Sequence, residues 1–269
     1  MMNRLRWLKA YPTLLRANFA VAAEYRARTI VWILSSVLPL VMMMVWLTVA
    51  EQQGGQVAGY NRIGFISYFL AVVLIRRLTG AWIIWDVDRD IRQGTLSPKL
   101  LHPIDPAHYL FTRILAFRLS QIPIIGPPVI IAAWLLGAQY DLSPATLLLT
   151  VGAIFGAFLI EFMAQMALGM SAFWITQASA LGEGWLFLRA LLSGWIVPID
   201  LFPPAVTAAL FYLPFRYMLS LPVEILLGRL SLGEIGQAYL IQYSWAIGFF
   251  ILFRLLWRRG LKHYSAVGA

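Results

Sequence analysis

Few residues in this sequence have the types and spacing that chemistry requires. Asp86, Asp88 and Asp90 alternate and could bind a metal, but alternation along a helix points them to different faces and favours a solvated helix end. None of the three histidines lies in an HExxH pattern or near a plausible serine nucleophile, and the absence of cysteine excludes disulfides, thiol catalysis and iron–sulfur clusters. No GxxxxGK[ST] motif occurs, so the chain is not expected to hydrolyse ATP by itself.

The composition places these residues in a membrane protein. Apolar residues make up 61% and charged residues 12% of the 269 residues, against roughly 45–50% and 25% in soluble proteins. A soluble domain of this size needs more polar surface than that. Because one spanning helix takes about 20 apolar residues, the composition predicts an all-α polytopic membrane protein. The net charge of +9 then indicates the anionic inner leaflet, rather than nucleic acid, as the partner.

Six apolar runs are long enough to be transmembrane helices. They are Ile30–Ala50, Ile63–Trp85, Arg113–Leu136, Ala145–Trp174, Gly184–Leu201 and Tyr239–Trp257. The segments expected on one side of the membrane carry 13 basic residues and those on the other side three. Since cytoplasmic loops carry the excess of Lys and Arg, both termini are expected in the cytoplasm, with the chain in the inner or plasma membrane.

The remaining segments complete a single membrane domain, 1–269, whose spans lie within 30–257. Basic and apolar stripes at helical spacing in residues 1–28 predict an amphipathic interfacial helix containing Pro12, with a basic tail as the alternative. Prolines and charges interrupt residues 202–232, which predicts short re-entrant helices in the outer leaflet rather than a seventh span; an ordinary external loop is the alternative. Residues 258–269 form a cytoplasmic tail.

The longest cytoplasmic loop, residues 86–112, is expected to form one rigid module in which a short helix ends and a new helix begins. Ser97 is expected to cap a short helix with Pro98 in its first position, and Asp105 to cap the third span in front of Pro106. The module is expected to expose apolar side chains to water. These side chains can be buried either under the bundle or against a cytoplasmic partner. These side chains are Leu96, Leu100, Leu101 and Ile104.

Ionisable residues inside the apolar runs form a candidate intramembrane polar site. Glu161 lies about 24 Å from the outer start of its helix, and Arg76 and Arg77 lie about 20 Å along theirs. The glutamate therefore either pairs with Arg76 or Arg77 and seals the bundle, or faces a path and attracts a cationic or zwitterionic substrate. Arg113, Arg118 and Arg189 are expected to snorkel near cytoplasmic ends.

Three groups of residues, in order along the chain, resemble the permeases of the ABC transporter type-2 family. The first is Ile91-Arg-Gln-Gly-Thr-Leu followed by Leu100-Leu-His-Pro-Ile and Pro106. The second runs from Gly194 through Pro198-Ile-Asp-Leu-Phe-Pro203. The third is Leu213-Pro-Phe-Arg-Tyr217 with Leu221-Pro222 and Leu227-Gly228.

This resemblance implies a transport subunit powered by another polypeptide. In such permeases the loop after the second span is a coupling helix that contacts a separate ATPase, which binds ATP and Mg and is present in two copies. Carried over to this sequence, the contacts are Ile91, Gly94, Thr95, Leu96, Leu100, Leu101, Pro103 and Ile104. The family pattern often has arginine where His102 stands. The implied function is export by alternating access, with no cofactor and no catalytic residue in this chain.

The resemblance also implies a second permease chain, either identical or homologous. Small residues on the fourth span permit close approach of helices, within one chain or between two. They are Gly152, Gly156, Ala157, Ala164 and Gly169. The alternative functions are a membrane-embedded transferase acting on lipid-linked substrates and a noncatalytic membrane scaffold. No residue pattern selects among drugs, lipids and polysaccharides as the cargo.

Overall fold

The computed structural model describes residues 6–24 and 37–264, and most of this length is helical. The first helices are α1 (Arg6–Glu24), α2 (Val37–Gln52), α3 (Arg62–Thr79), α4 (Ile84–Arg92), α5 (Leu96–Leu100), α6 (Pro106–Ser120) and α7 (Ile122–Leu135). They are followed by α8 (Pro144–Gly169), α9 (Ala178–Leu192), α10 (Pro204–Leu210), α11 (Arg216–Leu226) and α12 (Leu232–His263). A short antiparallel pair, β1 (Gln56–Val57) and β2 (Tyr60–Asn61), connects α2 to α3.

Four helical runs in the described residues are long and apolar enough to cross a membrane. They are Arg62–Arg92, Pro106–Leu135, Pro144–Phe173 and Leu232–His263, and Val37–Gln52 is a shorter apolar helix. The prediction of an all-α polytopic membrane protein is confirmed. Six crossings stay a prediction, because the first run begins outside the described residues and the fifth differs from expectation. In place of one helix over 184–201, α9 ends at Leu192 and a 3₁₀ turn follows at Ile199–Leu201.

The second predicted span is broken near the end that is predicted to be cytoplasmic. Helix α3 ends at Thr79, and the chain resumes as α4 after four non-helical residues. The backbone groups freed by the break bind side chains of other helices: Arg118 Nε donates to Gly80 O at 2.7 Å, and Gln165 bonds to both Ala81 O and Ile83 N. Such satisfaction is required, because a buried backbone group without a partner is costly.

Helix α8 forms the centre of the bundle and packs closely on α12 and α11. Close approach depends on Gly156, where an added Cβ would lie 2.4 Å from Gln242 Oε1. Gln242 is fully buried and donates to Ala153 O and Tyr217 O, which links α12 to both neighbours. The small residues predicted to allow close approach therefore include one that packs within this chain.

Helix α1 continues through Pro12 and packs along α6. Tyr11 Oη and His108 Nδ1 are hydrogen-bonded at 2.8 Å, and the side chain of Asn18 lies 3.4 Å from Thr112 Oγ1. A helix in the predicted place thus exists within residues 1–28. Its location in the headgroup region stays a prediction.

The predicted hairpin of residues 202–232 consists of short helices, as its prolines indicated. Helix α10 is followed by α11, whose residues 217–225 are all buried and which packs on α3 and α8. The turn that leads into this region requires Gly194, because its φ is +90° and Tyr68 Oη donates to its carbonyl oxygen at 2.8 Å. Protein therefore covers α11, a condition for placing it within a membrane, whereas most of α10 is exposed or partly exposed.

Candidate functional site

Ion pairs hold the loop between α4 and α6 in one conformation. Asp86 is paired with both Arg89 and Arg113. Asp90 accepts hydrogen bonds from Lys99 and, at 2.9 Å, from Thr95 Oγ1. The alternating aspartates therefore bind basic side chains, and no group of three metal-ligating residues occurs in the described part of the chain.

One of the two predicted helix caps in this loop is confirmed. Asp105 accepts from Ala107 N at 2.9 Å, with Pro106 in the first helical position, and it also pairs with Arg254. The cap predicted at Ser97 was wrong: α5 begins two residues earlier than predicted, at Leu96, with Thr95 in the N-cap position. The left-handed Gly94 (φ +73°) turns the chain before α5, and Ser97 Oγ bonds instead to Tyr264 Oη at 3.0 Å.

The eight predicted coupling contacts divide into two sets. Ile91 and Leu96 are 7% and 4% exposed, because they belong to a buried apolar cluster that also contains Val87 and Trp257. The expectation that Leu96 is exposed was therefore wrong. Leu101 is 87% exposed and Leu100 37%. The remaining residues are at least partly accessible: Gly94, Thr95, Pro103 and Ile104.

The exposed surface extends to a segment that sequence reasoning did not single out. Arg92 Nη1 donates to Thr176 O, which places residues 174–177 beside the end of α4. Trp174 and Ile175 in this segment are 45% and 41% exposed. We name Leu100, Leu101, Trp174 and Ile175 the apolar loop surface. The sequence signal for Trp174 and Ile175 was the presence of large apolar side chains in the loop that follows the fourth predicted span.

Glu161 lies at the centre of the second candidate site, with none of its surface exposed. Its Oε1 accepts from Arg189 Nη1 at 2.9 Å and from Gln165 Nε2 at 2.7 Å, and its Oε2 accepts from Trp185 Nε1 at 3.1 Å. Of the two predicted roles, pairing is the one that this geometry matches. The predicted partner, Arg76 or Arg77, was wrong: α9 packs on α8 and brings Arg189 to the carboxylate. Arg189 is 7% exposed, so it does not snorkel as expected.

Three further arginines surround this pair. Arg76 stacks on the ring of Trp195 at 3.6 Å, and Arg118, predicted to snorkel, is 5% exposed and bonded to the broken backbone. Arg77 is 7% exposed. Arg76 and Arg118 both lie within electrostatic range of Arg77, Arg189 and Glu161. The predicted polar site therefore exists as a cluster, which we name the arginine cluster: Arg76, Arg77, Arg118 and Arg189 around Glu161.

The arginine cluster is expensive for a membrane helix bundle to maintain. A charged side chain at the centre of a membrane helix costs about 3 kcal/mol on insertion scales, and guanidinium groups stay protonated in proteins. Ionisable residues at this depth are by default a functional hypothesis. The positive charge of the cluster can bind negatively charged groups. Glu161 supplies only part of the negative charge that would balance it.

Comparison with known proteins identifies the family of the chain. A family model described as ABC-2 family transporter protein matches residues 37–268. No curated protein matches the sequence. The match spans nearly all of the described bundle, the loop of α4 and α5 and the hairpin of α10 and α11 included. The chain therefore belongs to the ABC-2 transporter family.

Proposed function

We propose that this member of the ABC-2 transporter family is the permease subunit of an ATP-driven exporter. It crosses the membrane six times with both termini in the cytoplasm, and a second permease chain, identical or homologous, completes the path. A separate ATPase subunit, in two copies, binds ATP and Mg, and the permeases alternate between inward-facing and outward-facing states. Family membership supports the transport role and association with an ABC ATPase.

The observation that carries the proposal is the contrast between neighbouring apolar residues in one rigid loop. Ile91 and Leu96 pack into the bundle, whereas Leu100 and Leu101, a few residues on, remain exposed. Ion pairs of Asp86 and Asp90 hold the loop that presents them. Exposed apolar side chains surrounded by polar and charged residues match the apolar core and polar rim of a protein–protein contact. We assign it to the ATPase.

Co-purification with the ATPase tests this assignment. Replacing Leu100 and Leu101 together by Asp should release the ATPase, because two carboxylates would have to be desolvated in the contact. Leu142→Asp is the matched control: this leucine is 65% exposed but follows α7, at the other end of the α6–α7 run. We expect at least a tenfold loss of bound ATPase in the double variant and none in the control. Retention of the ATPase by the double variant would show that the interface lies elsewhere.

The absence of cysteine makes the proposed orientation directly testable. Single cysteines at Gln93, in the turn after α4, and at Ser143, before α8, can be labelled in intact cells with a membrane-impermeant maleimide. Both residues are exposed. We expect labelling at 143 from outside, and at 93 only after the membrane is opened. The reverse pattern would overturn the orientation and, with it, the ATPase contact.

A further inference from the structure

We propose that the arginine cluster is a binding site for a phosphate-bearing anion. The guanidinium groups of Arg76, Arg118 and Arg189 lie around the break between α3 and α4. Arg189 pairs with Glu161, Gln165 joins Glu161 to Ala81 O, and Arg118 donates to Gly80 O. Among the described residues, Glu161 is the carboxylate that acts on Arg76 and Arg118. The region thus carries an excess of positive charge. This inference does not depend on the proposed function, since it concerns binding and not transport.

Glu161 supplies one negative charge and is ion-paired with one arginine of the cluster, Arg189. Its oxygens accept hydrogen bonds from Arg189, Gln165 and Trp185. Arg76 instead stacks on Trp195, and Arg118 Nε donates to a backbone carbonyl. These contacts position the two guanidinium groups without supplying a counter-charge. A second negatively charged group would therefore be needed to balance the charge of the cluster.

Unpartnered polar groups lie within one helical turn of the arginines. Thr79 follows Arg76 by three residues, Gln121 follows Arg118 by three and Ser193 follows Arg189 by four. All three are at most 1% exposed. Their hydroxyl and amide atoms have no hydrogen-bond partner among the described residues. Buried polar atoms nearly always have partners, so these three side chains are a second, independent indication of a ligand.

The donors present favour phosphate over other anions. Guanidinium groups bind the oxygens of phosphate through paired N–H donors and are the preferred recognition element for such groups. Hydroxyl and amide N–H groups add further donors to a tetrahedral oxyanion. The phosphate can belong to an anionic phospholipid headgroup or to a soluble phosphate compound. Both present the same acceptors to this site.

Binding to the purified full-length chain tests the proposal. Inorganic phosphate is titrated at constant ionic strength against chloride while thermal unfolding is followed, and retention of phosphatidylglycerol against phosphatidylcholine is measured by native mass spectrometry. Saturable stabilisation by phosphate would indicate a soluble ligand. Selective retention of phosphatidylglycerol alone would indicate a lipid headgroup. A wild-type chain that shows neither effect would overturn the proposal.

Substitution of Arg76 locates the site. Arg76→Gln should weaken the observed binding by tenfold or more, whereas Arg62→Gln, at the exposed outer end of the same helix, should leave it unchanged. Arg76→Lys keeps the charge and tests the paired donors, so an intermediate loss is expected. Equal binding by the wild type and Arg76→Gln would place the anion elsewhere and refute the assignment.

Discussion

Two buried glutamates in this protein have opposite electrostatic surroundings. Glu161 and Glu224 are 0% and 4% exposed, and each accepts hydrogen bonds at both carboxylate oxygens. Glu224 bonds to Ser220 Oγ at 2.6 Å and to Arg216 Nη2 at 2.7 Å. The groups near it balance, because Asp200 and Arg229 form a second pair at 3.7 Å. Glu161, in contrast, lies among four arginines.

This difference distinguishes an ion pair that only stabilises the fold from one whose surroundings could also bind an anionic ligand. The Glu224–Arg216 pair lies within the single helix α11, and its charge is satisfied there. The Glu161–Arg189 pair joins two helices, and Arg76 and Arg118 beside it form no ion pair among the described residues. Similar burial and similar bond lengths therefore do not imply the same role. The sum of charge around each pair distinguishes them.

The largest effect is expected from Glu161→Gln. Removing one partner of a buried ion pair leaves an uncompensated charge and costs about 3–5 kcal/mol, and here three more arginines add repulsion. We expect a protein that misassembles or unfolds at a much lower temperature in detergent. Glu51→Gln, in an exposed pair with Arg62 at 3.7 Å, is the control and should change stability little. Normal assembly with lost export would instead show that Glu161 faces a path.

A smaller effect, and one that can be rescued, is expected at Glu224. Glu224→Gln should destabilise the chain by about 2 kcal/mol, because Arg216 keeps some exposure, with 15% of its side chain accessible. Adding Arg216→Gln should recover part of that loss in thermal unfolding. Adding Arg189→Gln to Glu161→Gln should recover less, because Arg76, Arg77 and Arg118 remain. Equal recovery in the two double variants would remove the distinction between the sites.

The smallest effect is expected at Asp141, an exposed carboxylate between α7 and α8. Hydrogen bonds from Thr146 Oγ1 and Ser143 N lower its pKa below the usual value. The stability that this group contributes is therefore present above its unfolded pKa and is lost as the pH falls through the folded pKa. Unfolding of the wild type should become more sensitive to acid below about pH 4. Asp141→Asn should remove this component alone, and an unchanged acid profile would contradict the assignment.

Much of the helical framework could be predicted from residue type and spacing. Apolar length predicted the runs now seen as α3–α4, α6–α7, α8 and α12, and the Asp105–Pro106 pair predicted where α6 begins. The prolines and charges of residues 202–232 predicted short helices. These features are local, since a cap, a proline or an apolar run acts on its own segment of chain.

The contacts between helices were harder to predict, as the partner of Glu161 shows. Counting residues along a helix gives the depth of a side chain, and Arg76 and Glu161 are indeed close enough to interact. It does not give the direction in which the side chain points, which depends on how α8 and α9 pack. The predicted exposure of Leu96 was wrong for the same reason, because its burial depends on a cluster that includes Trp257, which is distant in sequence. The cap predicted at Ser97 was wrong because the chain turns at Gly94, and α5 begins directly after this turn.

The four non-helical residues between α3 and α4 have a mechanical consequence. No continuous ladder of main-chain hydrogen bonds joins α3 to α4, so the two helices do not form one continuous rod. One amide, that of Gln165, spans the break, because it bonds to both Ala81 O and Ile83 N, and it also bonds to Glu161. Any displacement of α4 relative to α3 would therefore strain these bonds, next to the buried Glu161.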